Sequence, residues 1–195
     1  MTKKEQSKNL ISLFLHVNSS KRIKRTGWVR NNIPQPESVA EHTFSLSFIT
    51  MQLAPLLSDR LNYPLNTTKL IKMAILHDIG EIETGDIVVY EAGNVDVKKM
   101  KEKEEMERKG IKKIFSQTDK SHLAVTTFDE MLERKTLEAK IFWQLDKLDM
   151  ALQALVYELE HKRRLPEFFE TARAHIHDEF LKELLEEIEG ERPTV

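Results

Sequence analysis

Apolar residues recur three and four positions apart along nearly the whole of this chain, the period of an amphipathic α-helix and not of a strand. Six prolines and six glycines in 195 residues leave long stretches uninterrupted. The spacing predicts a first helix over roughly Lys4–Val17, then an aperiodic loop over Lys21–Pro36 that carries two prolines. Ser38-Val-Ala-Glu41 is a capping-box signature; it opens a helix through Val39, Leu46, Ile49, Leu53 and Leu57 that Pro55 is expected to kink or end. A third helix begins near Asn66–Thr68, runs through Leu70, Met73, Ala74 and His77, and stops around Gly80. Val95–Phe115 is charged on most faces, with Met100, Met106, Ile111 and Ile114 as anchors, and reads as a solvated helix. The longest helix is predicted from about Leu132 to His161, with Leu137, Ile141, Leu145, Leu148, Leu152, Leu155 and Leu159 on one face. Two short helices, over Pro166–Ala174 and Asp178–Ile188, close the chain. With no strand signal, repeat or linker, the expectation is one all-α domain over residues 1–195.

Composition narrows the function. Lysines and arginines number 30 against 32 acidic residues, a net charge of −2 that argues against bulk nucleic-acid binding. The chain has no cysteine, so disulfides and thiolate metal sites are excluded and a reducing, cytoplasmic compartment is expected. Leu10–Val17 is apolar but short, and polar Asn18-Ser19-Ser20 follows it, so it reads as part of an amphipathic helix and not as a secretory signal. No run approaches the roughly 18–20 apolar residues of a membrane span.

Chemistry concentrates in Ala74–Ile87, AILHDIGEIETGDI, where an apolar helix runs straight into His77-Asp78. An unpaired carboxylate is costly to bury there, and a metal ion that takes an imidazole nitrogen and a carboxylate oxygen resolves the conflict. Glu81, four residues beyond His77, lies on nearly the same helical face and is placed to work on water. His177-Asp178, a second such pair, sits at the mouth of a short helix, where Asp178 has an ordinary first-turn role. Further ligands must come from other helices. His42 on the first turn after Ser38 is one candidate; Asp146 and Asp149, inside a long apolar helix, are the others, and spacing alone leaves both aspartates open.

The ordered set His42, His77-Asp78 and Asp146 resembles the HD-domain metal-dependent phosphohydrolases, and more closely their 5′-deoxynucleotidase branch. RTGWVR at Arg25–Arg30, PESVAEH at Pro36–His42, LHDIGEIETGDI at Leu76–Ile87 and QLDKLDM at Gln144–Met150 carry the resemblance across nearly the whole chain. It implies a single HD-domain helical bundle in which His42, His77, Asp78 and Asp146 hold one divalent ion (Mn, Co, Mg or Zn), with Asp146 preferred over Asp149. It implies that Glu81 manages the attacking water, and that Trp28, Asp86 and Arg25 or Arg30 line a nucleotide pocket. His122 and His161 are isolated and read as structural, so a second metal is not expected. The expected activity is release of the 5′-phosphate from (deoxy)nucleoside monophosphates. Hydrolysis of a triphosphate, cyclic or alarmone nucleotide is the alternative within the family, and a catalytically idle metal-holding module the alternative outside it. A homodimer is expected as well, because Phe142, Trp143, Leu152 and Leu155 offer more apolar positions than one seam needs.

Overall fold

Side-chain caps set where five of the helices begin. In the computed structural model, which describes residues 2–87, 90, 91, 94, 95, 97–116, 118 and 121–194, Thr2 with Glu5 and Ser38 with Glu41 form reciprocal capping boxes. Asn66, Thr136 and Asp178 each accept a hydrogen bond from the backbone N–H three residues on. In chain order the helices are α1 (Lys3–Val17), α2 (Thr26–Arg30), α3 (Val39–Leu61), α4 (Thr67–Leu76), α5 (Glu81–Thr84), α6 (Val97–Phe115), α7 (Ser121–Glu133), α8 (Leu137–His161), α9 (Pro166–His175) and α10 (Glu179–Gly190). The architecture is all-α. Its extended backbone among the described residues amounts to a two-residue antiparallel pairing, Tyr90–Glu91 with Asn94–Val95, and an isolated bridge between Lys24 and Ser38.

Several predicted boundaries move. The stretch Lys21–Pro36 is not all loop: a 3₁₀ turn over Asn18–Arg22 is followed by α2, with Arg25 N–H bonded to the Glu37 carbonyl and Val39 N–H to the Ile23 carbonyl. Pro55 does not end α3, which continues to Leu61 and closes where Asn62 turns left-handed at φ 48°. The helix predicted over Leu132–His161 is two helices, because Arg134 takes φ 52° and Thr136 caps a new start. On α8 the core stripe holds Ile141, Leu145, Leu148 and Leu155, whereas Leu152 and Leu159 face outward. Asp178 caps α10 by accepting from Leu181 N–H at 3.1 Å, the first-turn role its position suggests.

α8 is the axis of the molecule, packed by α3, α4, α7, α9 and α10. Its apolar side chains join Leu46 and Leu57 of α3, Leu70 and Met73 of α4, and Phe169 of α9 in one core. Full burial of each such side chain contributes about 1.5–3 kcal/mol. A helix surrounded in this way buries its polar residues too, and each must find a partner. Gln144 Oε1 accepts from the His177 and Asp178 amides at 2.6 and 2.7 Å, and Glu158 holds Arg192 and the Leu165 amide. Asp146 and Asp149, on the same helix, turn toward α3. A second contact matters for the site: α5 abuts α6 through two glycines. A Cβ on Gly80 would lie 2.7 Å from the Glu107 carbonyl oxygen, and one on Gly110 would lie 2.8 Å from that of Gly80.

Candidate active site

Three helix segments bring the predicted ligands together. His42 comes from the first turn of α3, His77 and Asp78 follow the end of α4, and Asp146 lies midway along α8; all four are buried. His42 Nδ1 is 2.7 Å from Asp149 Oδ2, and His77 Nδ1 is 2.9 Å from the Ala74 carbonyl oxygen. Carboxylate and carbonyl oxygens only accept, so both rings donate from Nδ1. Each neutral imidazole then presents a bare Nε2 lone pair to the interior. The two Nε2 atoms are 3.1 Å apart, Asp146 Oδ1 is 3.3 Å from that of His42, and Asp78 Oδ2 is 3.0 Å from that of His77. Four electron-rich atoms converge, an arrangement that repels itself unless a positive charge sits among them.

A divalent ion fits this set. His42, His77 and Asp146 each offer a ligand atom within 4.8 Å of the others, and separations near 3 Å suit neighbouring ligands around an ion bound at about 2.1 Å. Asp78 lies against the same rings, and its Oδ2 also accepts from Arg25 Nη1 at 2.5 Å. The electrostatics point the same way. In the metal-free protein, burial and Arg25 push His42 down, but Asp146 and Asp149 outweigh them and raise it to about 9. Burial opposes ionisation of Asp78 and Asp146. Even so, His77 and Arg25 hold Asp78 below the usual carboxylate range, and Lys147 and His42 do the same for Asp146.

The two aspartates of α8 divide their work on either side of His42. Asp146 faces Nε2, inside the cluster; Asp149 takes Nδ1 and also accepts from Ser45 Oγ at 2.5 Å, outside it. The two aspartates that helical spacing left open thus face different nitrogens of one ring, and Asp146 is the one beside the paired Nε2 atoms.

The cluster opens on a cavity of about 440 Å³, lined by His77, Asp78 and Asp146 together with the cationic Arg25, Lys103 and Lys147. Arg25 reaches the cluster through Asp78, whereas Arg30 is an exposed wall residue. Asp86 holds α2 in place: its Oδ2 accepts from the Thr26 amide at 2.6 Å and its carbonyl from Thr26 Oγ1 at 2.7 Å. Arg25, at the N-cap of α2, makes no side-chain cap hydrogen bond, so a carboxylate 60 positions away bonds to the helix's first amide. Trp28 is 1% exposed. Its Nε1–H donates to Glu37 at 2.8 Å and Phe168 stacks on one face with ring centres 4.1 Å apart, so the indole meets the cavity from within the core.

Glu81, fully buried, does not line the cavity; Lys103 does, and donates to Glu81 Oε1 at 3.0 Å. Glu81 Oε2 has no hydrogen-bond partner among the described residues. Burial and the neighbouring Asp78 carboxylate raise the Glu81 pKa well above that of an ordinary glutamate, so it holds a proton readily. Sequence reasoning missed Lys103, Lys147 and Ser45. Lys103 had a signal, however: with Glu107 it falls on the helical stripe of Met100, Ile111 and Ile114, where two charges interrupt the anchors of a helix otherwise solvated.

The profile of the HD-domain family matches residues 17–189. The chain belongs to that family. HD domains are metal-dependent, and the His42–His77–Asp146 group is able to hold the ion. Among its HD-domain relatives, the human 5′-deoxynucleotidase HDDC2 is 32% identical over 96% of this chain and 88% of its own length. The Dictyostelium discoideum 5′-deoxynucleotidase HDDC2 is also 32% identical, over 94% of this chain and 98% of its own. Among solved structures, a conserved hypothetical protein from Pyrococcus furiosus superposes with a TM-score of 0.75 at 33% identity, covering 92% of this chain and 99% of that one. The PH0347 protein from Pyrococcus horikoshii gives the same TM-score at 30% identity, covering 93% and 99%.

Proposed function

We propose that this HD-domain protein is a metal-dependent phosphomonoesterase that releases phosphate from deoxynucleoside 5′-monophosphates. The cavity is the observation that carries the reading. At about 440 Å³ it is the size of a small-ligand site, and three of the four candidate ligands, His77, Asp78 and Asp146, meet five cationic side chains on its wall. The named activity of the HDDC2 relatives supports the same substrate class. A bound divalent ion supplies Lewis acidity at the phosphoryl group and acidifies water. His42, His77, Asp78 and Asp146 hold it. Arg25 and Lys147 neutralise charge on the phosphoryl oxygens. Glu81 takes a proton from the attacking water through Oε2; the water oxygen bonds to phosphorus, the P–O5′ bond breaks, the departing 5′ oxygen takes a proton from solvent water to become a hydroxyl, and Glu81 returns its proton to solvent. Asp86 aligns Arg25 through Thr26, and Trp28 and Arg30 form the wall beside the sugar. A metal that merely joined helices would need no buried carboxylate oxygen without a partner, so Glu81 favours an enzyme over an idle module. The comparison that tests the reading is kcat/KM for dAMP, AMP and dATP under one metal. The order dAMP above AMP, with dATP far behind, is expected; if dATP is the best substrate, the protein is a triphosphohydrolase.

Ligand roles separate by metal content. Asp146→Ala is expected to empty the site, and Asp149→Asn to weaken metal binding by about 10–100-fold through loss of His42 orientation. Elemental analysis after dialysis checks both, and the reverse ranking would exchange the two roles.

The working unit is a homodimer in the cytoplasm. Absence of cysteine agrees with a reducing compartment. The apolar surplus is not where the sequence suggested: Phe142 and Leu155 are buried within the chain, Trp143 packs against its core, and Leu152 alone of the four is exposed. Besides Leu10, Ile11, Phe14 and Leu15 on α1, the exposed apolar surface includes Phe44, Phe48 and Met51 on α3 with Leu152, Val156 and Leu159 on α8, and the α3–α8 patch is the proposed dimer face. Each trio recurs at i, i+4 and i+7, one stripe of a helix. The two helices pass antiparallel, with Ser45 against Asp149 and Glu37 against Tyr157, which turns both stripes to one side. Light scattering is expected to give about twice the 22.8 kDa chain mass, and Phe48→Glu to halve it. A wild-type monomer at micromolar concentration sinks the proposal.

A further inference from the structure

We propose that Lys103 is a positioning residue for the reaction, holding Glu81 in place, with Glu107 as its anchor. This rests on the role given to Glu81 above. Three carboxylates surround the Lys103 ammonium: Glu81 Oε1 at 3.0 Å, Glu107 Oε1 at 3.3 Å and Asp86 Oδ1 at 3.9 Å. The bond to Glu81 has hydrogen-bond geometry, whereas Glu107 Oε1 has an ion pair without it. Lys103 thus fixes one oxygen of Glu81, and the carboxylate plane is set with Oε2 left over. Glu81 makes no other side-chain hydrogen bond among the described residues to do this. Its own helix, α5, is four residues long and too short to orient a side chain unaided.

The backbone supports the same coupling. Gly80, immediately before Glu81, and Gly110, two turns beyond Lys103 on α6, approach so closely that neither accepts a Cβ without a shift. The distance from Lys103 to Glu81 is therefore set by a rigid backbone contact as well as by charge. Glu107 is one helical turn from Lys103 and 5% exposed, and pairing with Lys103 explains a carboxylate on the buried stripe of α6. Lys103 also lines the cavity while Glu81 does not, so the side chain that bonds Glu81 Oε1 is itself in contact with the substrate space.

A double-mutant cycle tests this. Lys103→Met keeps the length of the stem and removes the charge. In the metal-loaded protein it is expected to lower kcat by about 10²-fold with KM within threefold and metal content unchanged. Lys103→Arg keeps the charge and is expected to recover all but about tenfold of the loss. In a Glu81→Gln background, Lys103→Met is expected to change kcat by less than threefold, because the partner it serves is gone. Equal losses in both backgrounds, an unchanged kcat, or a raised KM with kcat intact would each overturn the proposal. Should Lys103→Met fail to fold, Glu107→Gln carries the test: a several-fold loss in kcat that vanishes in the Glu81→Gln background supports the anchor, and an additive loss refutes it. The wild-type and Glu81→Gln arms separate the two ideas. A wild type that ignores monophosphates overturns the substrate, and the cycle is then run on the nucleotide it does cleave. A Glu81→Gln collapse without a Lys103→Met effect overturns the positioning role alone.

Discussion

Exhaustive chelation is expected to abolish phosphate release, and Mn²⁺ or Co²⁺ to restore it. The expectation follows from where the protons are. Both Nδ1 atoms are committed to acceptors, so His42 and His77 aim lone pairs at each other across 3.1 Å, with two carboxylate oxygens beside them. Removing the ion leaves that cluster to be satisfied by a proton on a ring and by Arg25 on Asp78, neither of which acidifies water. The loss should therefore be complete and not graded. Stability should fall with it, since an ion at a thousand times its dissociation constant stabilises the folded chain by about 4 kcal/mol. Phosphate release is measured with elemental analysis on the same sample, alongside thermal unfolding with and without metal. Full activity in a sample shown to be metal-free rules the mechanism out.

Replacing Glu81 should have the second-largest effect and leave the metal in place. Glu81→Gln is expected to cut turnover by about 10²–10⁴-fold, the range of a lost acid–base group, with metal content near stoichiometric. Glutamine keeps the volume and an oxygen for Lys103, so the variant isolates proton transfer from packing. The reason to separate Glu81 from the ligands is geometric: it stands outside the His42–His77–Asp146 group, and its second oxygen is buried without a partner. Metal loss in this variant would make Glu81 a ligand instead, and wild-type turnover would remove it from the mechanism.

The candidate cluster was legible in the sequence because the physics of burial singles out its members. An aspartate in the middle of α8, and a His-Asp pair at the end of an apolar helix, are each costly without a partner, and one cation resolves both. Helical spacing did not choose between Asp146 and Asp149, since both lie on one flank of the helix; the family resemblance preferred Asp146, and in the structure the two face different nitrogens of the His42 ring. Lys103 was masked by averaging: a run of lysines and glutamates reads as solvated, and the helical spacing from Met100 that sets Lys103 and Glu107 on the inner stripe is easily passed over until α6 is seen packed on α5. The break between α7 and α8 was missed because the apolar period carries across it, while the break itself depends on a left-handed turn at Arg134. The apolar surface shifted for a related reason. A central helix uses Phe142 and Leu155 internally, and periodicity does not say which of several apolar stripes is the inner one.

The cluster also dictates an order of events during synthesis. Its two histidines are 35 positions apart, and His42 meets Asp149 across 107. Closing a loop of the longer span costs about 4 kcal/mol of chain entropy, so the helices must dock before the ligands can meet. A nascent chain that ends just after His77-Asp78 already carries His42, His77 and Asp78, yet lacks Asp146, which lies beside His42 Nε2, and Asp149, which accepts from His42 Nδ1. Tight metal loading therefore waits until α8 has emerged and inserted, which makes capture of the ion a marker of finished folding.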